Sequence, residues 1–302
     1  MNRGAFSLAL TLWIVAILSL VSVLYLGYAK QVVDKTVSLN RKLLVTFKAE
    51  SMVELIKFYG STGDIEKNYI LNNLQSSFPD FPRKIFIDSR ETVWDNTTMI
   101  FQDTAGLIDI KDRDAISTYL TFDYQDSKEK KDIIRDSIDD WLDKDSFFKL
   151  NGAEDTFYQK YGYEARDGKY FSAIDELFLL RGMDSYTSGN IKKLRSVLVM
   201  SDQVTRNILT LNDNLLQKIY NLSSTDLAQL KRAKENDIGR FISLFTLMHK
   251  DNYNFEQDGI YPSNVIKAKI TSLDGNIKKE IEFLIDFAPS SQKAFEVLEY
   301  KD

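Results

Sequence analysis

Between Ile138 and Asp155 the chain reads Ile-Asp-Asp-Trp-Leu-Asp-Lys-Asp-Ser-Phe-Phe-Lys-Leu-Asn-Gly-Ala-Glu-Asp, which sets carboxylates at Asp139, Asp140, Asp143, Asp145, Glu154 and Asp155. Lys144 and Lys149 are the nearby bases, so the acids repel one another unless a cation intervenes. Hard divalent cations take oxygen ligands and would tie such a loop together at extracytoplasmic calcium levels. With Asp143 at position 1 of a twelve-residue calcium loop, Asp145 falls at position 3 and Glu154 at position 12, as in an EF-hand. Phe147 and Phe148 then occupy positions 5 and 6, where that loop needs an oxygen ligand and a glycine. What fits is an irregular calcium loop with Asp140, Asp143, Asp145, Glu154 and Asp155 as candidate ligands. The plain alternative is a helix end whose acids are simply solvated.

Other chemistry finds little to work with. The chain has one histidine and no cysteine, which removes thiol nucleophiles, disulfides and Cys-based zinc sites. Any histidine triad or multi-His metal centre would rest on His249 alone. That residue follows Phe241-Ile-Ser-Leu-Phe-Thr-Leu-Met248 and reads as the end of an apolar helix. Gly-rich phosphate loops, a Gly-x-Ser-x-Gly elbow and a His-Glu-x-x-His pair are all missing, so enzyme activity is not expected. A formal net charge of −5 leaves no basic excess for nucleic acid. Asn96-Thr-Thr98 and Asn221-Leu-Ser223 match a glycosylation acceptor, a pattern too common to carry weight.

The elements that must position the acidic stretch start with the N-terminus. From Ala5 to Ala29 the chain is uncharged, and charge returns at Lys30. As a helix, about 25 residues reach roughly 37 Å, enough to cross a hydrocarbon core of about 30 Å with some tilt. Gly27 and Ala29 have the spacing of a signal-peptide cleavage site, but a removable apolar region is usually shorter. A plain signal anchor fits the span and leaves Arg3-Gly4 without a purpose. Arg3 favours an N-in, C-out orientation, although Lys30, Lys35, Arg41 and Lys42 lie just past the other end.

Gln31–Tyr59 contains neither proline nor glycine and repeats apolar residues at helical spacing, so the span is expected to continue into water until Gly60 and Gly63. Asp64–Phe78 reads as a short helix ended by Pro79 and Pro82. Two β-like runs follow, Arg83–Asp88 and Thr97–Gln102, the second turning through Asp103-Thr-Ala-Gly106 into Leu107–Ile110 as a hairpin. From 112 to 235 the pattern is helical and charge-rich. Strands return at Val265–Thr271, Ile281–Phe287 and Phe295–Tyr300. Strands on both sides of a helical block imply one sheet domain carrying an insertion. The organisation expected is residues 1–4 as a leader, 5–29 as the membrane half of a helix, 30–111 and 236–302 as the two parts of the sheet domain, and 112–235 as the inserted helical domain.

On these residues the chain resembles minor pseudopilin K of the bacterial type II secretion system, the general secretion pathway protein K family. Arg3-Gly4 followed by Ala5-Phe6-Ser7-Leu8 is similar to that family's prepilin peptidase site. Asp103–Ile110 resembles the hairpin before its insertion, and Ile138–Asp145 with Gly152–Asp155 resembles its acidic signature. Ala173–Leu177 with Leu180–Met183, and Leu211–Leu216, resemble segments that follow in the same order. At the fifth position after Gly4, where most pilins carry glutamate, this chain has Ala9, and an apolar residue there is what the K subunit also shows. A subunit that starts a filament has no neighbour above it to neutralise such a carboxylate, and a lone one in lipid would cost several kcal/mol.

The resemblance implies an α+β fold in which a pilin-like long N-terminal helix packs on a small antiparallel sheet, with a large helical domain inserted between strands. It implies cleavage between Gly4 and Ala5 by prepilin peptidase, and a place at the tip of the pseudopilus marked by Ala9. Its implied partners are minor pseudopilins I and J, with contacts to H and the major pseudopilin. It also implies calcium in the inserted domain, an anchor in inner-membrane lipid and a periplasmic C-terminal part, serving export of folded proteins. The competing reading is a membrane-anchored periplasmic binding or sensor module.

Overall fold

Residues 3–72, 77–124, 127–165, 170–200, 205–249, 258–288 and 293–301 are described by the computed structural model. Helix α1, Arg3–Thr62, is unbroken over 60 residues, about 90 Å of rod. Its first half is a stripe-free apolar surface: Leu12, Leu18, Leu24 and Leu26 are all exposed. It is the one helix among the described residues long and apolar enough to cross a membrane. Its last turns are amphipathic, with Val45, Ala49, Met52, Val53, Ile56 and Tyr59 buried at helical spacing.

That buried face lies on a sheet. Strands β1 (Asp64–Ile65), β2 (Tyr69–Leu71) and β3 (Lys84–Phe86) form a small antiparallel sheet beside the end of α1. The main sheet comprises β4 (Asp88–Trp94) and β5 (Thr97–Asp103), joined later by three strands from the C-terminal end. Between them the chain runs through β6 (Ile108–Asp109), α2 (Arg113–Tyr124), α3 (Lys128–Leu142), α4 (Asp155–Tyr158) and α5 (Ser188–Val197). It continues with β7 (Leu198–Val199), β8 (Arg206–Asn207), α6 (Asp213–Ile219), α7 (Ser224–Asn236), α8 (Ile238–Met248) and β9 (Asp258–Gly259). The return strands are β10 (Val265–Asp274), β11 (Ile277–Asp286) and β12 (Glu296–Lys301), giving the order β12-β11-β10-β5-β4, all antiparallel. Ile266, Ala268 and Ile270 of β10 alternate inward with Ile281, Phe283 and Ile285 of β11 to meet α1.

Two local expectations fail. The helix expected over Asp64–Phe78 does not form in its described part: Asp64–Ile65 pairs with Tyr69–Leu71, which pairs in turn with Lys84–Phe86, while residues 73–76 lie outside the described residues. Asn72 Nδ2 donates to Tyr59 O at 2.8 Å and to Thr62 Oγ1 at 2.9 Å, which ties this strand to the last turn of α1. Nor do Thr97–Gln102 and Leu107–Ile110 form a hairpin. The hairpin lies earlier, where Asp95 and Asn96 adopt φ of 45° and 59° between β4 and β5, the left-handed pair that a tight turn of this hand requires. Ile108–Asp109 instead pairs in parallel with Leu198–Val199 inside the helical body.

A second core fills that body. Ile116, Tyr119, Ile134, Ile138, Trp141, Tyr158, Leu177 and Leu194 pack with Leu107 and Ile108 at one end and with Phe241 and Phe245 of α8 at the other. The helical body thus begins slightly before residue 112 and runs past 235.

The two bodies meet at a buried carboxylate. Asp103, at 0 % exposure, accepts from Ala105 N at 3.1 Å, Ser263 N at 3.0 Å and Ser263 Oγ at 2.6 Å on one oxygen. Its other oxygen accepts from Asn207 Nδ2 at 3.1 Å and Thr210 Oγ1 at 2.8 Å. Gln102 Nε2 adds a bond to Thr210 O at 2.9 Å, and Lys234 of α7 pairs with Asp88 of β4 at 2.6 Å. Burial lowers the pKa of the Lys234 ammonium, with Asp88 opposing.

His249 closes α8, its N–H donating to Phe245 O at 3.0 Å. The ring is buried against Tyr220 and Phe245, and its Nε2 has no hydrogen-bond partner among the described residues. Burial lowers its pKa from 6.5, opposed by Asp226 and Asp258. The unfolded chain therefore takes up this proton first as pH falls. The contribution is fully present above about pH 6.5 and lost on acidification toward the lower folded value. Denaturant unfolding from about pH 7.5 to about pH 5.5 should show a smaller acid loss in His249→Phe than in the parent chain; equal losses would contradict this.

Candidate metal centre

The acidic stretch is laid out by helix geometry. Ser127 caps α3 by accepting from Lys130 N at 3.2 Å, and the helix ends where Asp143 N donates to Asp139 O. Asp136, Asp140 and Asp143 recur at intervals of four and three and share one face. Asp139 points elsewhere, paired with Arg113 and with Lys149 Nζ. The strongest local bases therefore neutralise a carboxylate outside the group.

Asp140, Asp143 and Glu154 place carboxylate oxygens within 4.8 Å of one another. Asp140 is 1 % exposed and Glu154 6 %. Glu154 precedes α4 without capping it, and its Oε1 is buried with no hydrogen-bond partner among the described residues, as is Asp143 Oδ1. Burial first, then Asp143 and Asp140, push the Glu154 carboxyl up to about 7. Burial also raises the Asp140 and Asp143 carboxyls, with neighbouring acids adding to it. Two orphaned oxygens among three crowded carboxylates are a donor set that suits a hard cation.

Two other candidates lie outside this group. Asp145 is exposed and its Oδ1 accepts from Phe147 N at 2.8 Å. Asp155 opens α4 and accepts from Ala165 N at 2.6 Å. Both still act on Glu154 through their charge. Gly4, Ala5 and Ala9 lie on the backbone of α1, and their side chains are outside the described part.

Gly152 was not among the candidates, yet it makes room for one. A Cβ there would fall 1.9 Å from Asp140 Oδ2 and 3.1 Å from Asp136 O. Lys149 N donates to Asp140 Oδ2 at 2.9 Å, and Arg181 Nη1 donates to Gly152 O at 2.8 Å. The turn thus presses its backbone flat against the carboxylate. Trp141, 2 % exposed, buttresses the same helix end by meeting Tyr158 edge-on at 4.7 Å. No pattern of residue types marks Gly152 for this; an Asn-Gly pair signals only a turn.

Residues 116–200, which contain this centre, match the family profile described as Type II secretion system (T2SS), protein K. Over these residues the chain is similar to that family. They include both Ile138–Asp145 with Gly152–Asp155 and Ala173–Met183, which carry the resemblance in the sequence. Among solved structures, the chain is similar to one from the GspK-GspI-GspJ complex of the enterotoxigenic Escherichia coli type 2 secretion system. The TM-score is 0.51 at 16 % identity, over 88 % of this chain and 98 % of that one. The likeness is one of fold, and the long helix, antiparallel sheet and inserted helices agree with it. Among curated proteins nothing matches the chain.

Proposed function

We propose that this chain is a minor pseudopilin of a type II secretion system, standing at the pseudopilus tip where it starts or caps the filament during export of folded proteins. The observation that carries the reading is the protein K segment set between β5 and β10 of a sheet packed on a long N-terminal helix. A rod with its first half apolar and exposed and its last turns committed to a sheet suits lateral packing in lipid before assembly. In this reading prepilin peptidase cuts between Gly4 and Ala5, and the retained helix anchors the protein once in the inner membrane with its folded part in the periplasm. Ala9 removes the cost of an unneutralised carboxylate in lipid. Pseudopilins I and J are the proposed partners, as in the complex to which the fold is similar, with further contacts to H and the major pseudopilin.

Asp140, Asp143 and Glu154 are the proposed calcium ligands. The cation would supply charge compensation and hold the end of α3 to the turn before α4, a structural role with no reaction attached.

Co-expression with pseudopilins I and J and prepilin peptidase tests the assembly. The expected result is a co-purifying complex whose intact mass places the mature N-terminus at Ala5. A chain starting at Met1 or Lys30 in peptidase-competent cells, or one that purifies alone, would refute it.

A further inference from the structure

Next to the proposed cation centre, three large side chains have no role in the fold. Phe147, Phe148 and Leu150 are 82, 71 and 92 % exposed. Scattered exposed apolar residues are ordinary, but three within four positions on one loop make a patch. The loop is held at both stems. Phe147 N donates to Asp145 Oδ1 at 2.8 Å, Lys149 N to Asp140 Oδ2 at 2.9 Å, and Asn151 Nδ2 to Asp136 Oδ2 at 3.0 Å. Asp140, one of the proposed ligands, thus fixes the stem that carries Phe148 and Leu150.

We propose that loop 143–151 is a lipid-docking tip: with a divalent cation on Asp140, Asp143 and Glu154, the side chains of Phe147, Phe148 and Leu150 enter the headgroup boundary of an anionic bilayer. The proposal rests on the cation reading of that centre.

Size favours a bilayer over a protein partner. Near-complete exposure describes a convex knob, and three such side chains offer roughly 500 Å². That is short of the roughly 800 Å² per partner that a stable protein interface buries. Insertion at a headgroup boundary needs no shape-matched partner. The loop's formal charge is zero, Lys144 and Lys149 against Asp143 and Asp145. Counted with the ligands Asp140 and Glu154 this end carries −2, which a bound divalent cation cancels, so the repulsion from anionic lipid is removed, while lysines flanking aromatic residues keep their heads in water as the rings go in.

The absence of cysteine makes the test clean. Full-length chain carrying S146C, labelled with an environment-sensitive dye and reconstituted in phosphatidylcholine nanodiscs, is mixed with phosphatidylcholine vesicles containing phosphatidylglycerol. With calcium, a blue shift and co-flotation of discs with vesicles are expected, both reversed by chelator. Replacing all three apolar residues with serine should weaken docking about a hundredfold or more while leaving the calorimetric heat of calcium binding intact. Calcium heat without docking, docking unaffected by the triple substitution, or docking unaffected by chelator would each overturn this proposal alone. Discs that associate without vesicles would place a second copy on the knob and overturn it too. No calcium heat at all would overturn the cation reading and, with it, this inference.

Discussion

Replacing Asp103 with alanine should cost the protein about 4 kcal/mol or more, among the largest effects any single side chain here can have. Five donors converge on this carboxylate. Some have fallback partners: Asn207 Nδ2 also reaches Lys67 O, Ser263 Oγ also reaches Val265 O, and Thr210 Oγ1 also reaches Asn207 O. The N–H groups of Ala105 and Ser263 are paired with Asp103 Oδ1, so the substitution strands two buried backbone donors. Asp103→Asn keeps the shape but turns one acceptor into a donor facing other donors, and an intermediate loss of about 1–3 kcal/mol is expected. Denaturant unfolding in detergent reads this directly. Because Asp103 joins β5 to segments 205–211 and 258–264, the sheet and the helical body should lose stability together. A variant within about 0.5 kcal/mol of the parent would mean that the junction holds by packing alone.

On the proposed calcium reading, Gly152→Ala should strongly weaken the calcium response. The added methyl overlaps the Asp140 carboxylate, so either the carboxylate swings away from Asp143 and Glu154 or the turn lifts off α3. Without calcium the overpacking should cost about 1–3 kcal/mol. With calcium, the parent chain should gain melting temperature by mass action, while the variant gains little and binds about tenfold or more weakly. Glu154→Gln supplies the opposite signature. It removes a buried carboxylate crowded by Asp143 and Asp140, so it should stabilise the calcium-free protein and still weaken calcium binding. Strain alone could make Gly152→Ala less stable, but it cannot make Glu154→Gln more stable and less responsive together. If both variants bind calcium as the parent does, the three carboxylates are only a crowded helix end.

Much of the architecture was legible in the order of residues. The uncharged run from Ala5 to Ala29 forecast an apolar helix long enough to cross a membrane, and a proline-free continuation keeps the helix going because nothing breaks its backbone bonds. Alternation along Val265–Thr271 and Ile281–Phe287 announced half-buried strands because the side-chain period of a strand is two. The same local rules misread Asp64–Phe78, whose short strands exist because partners distant in sequence pair with them. They also misplaced the first hairpin. Asp95-Asn96 is a weaker turn signal than one containing glycine, so the Gly106 turn drew the assignment instead.

At the acidic centre the sequence determined which residue types were available and that their charges must be compensated. It could not choose among them, because spacing along the chain says nothing of which carboxylates already have partners. The tertiary structure made that choice. It paired Asp139 with Arg113 and Lys149, set Asp145 and Asp155 apart on backbone N–H groups, and brought Asp140, which accepts from Lys149 N, to face Asp143 and Glu154. The physical reason is burial: oxygens of Asp143 and Glu154 are cut off from water without a partner among the described residues, beside a turn that Gly152 packs onto Asp140. Asp103 teaches the same lesson, since an acid in a turn becomes the junction of two bodies only where segments distant in sequence aim their donors at it.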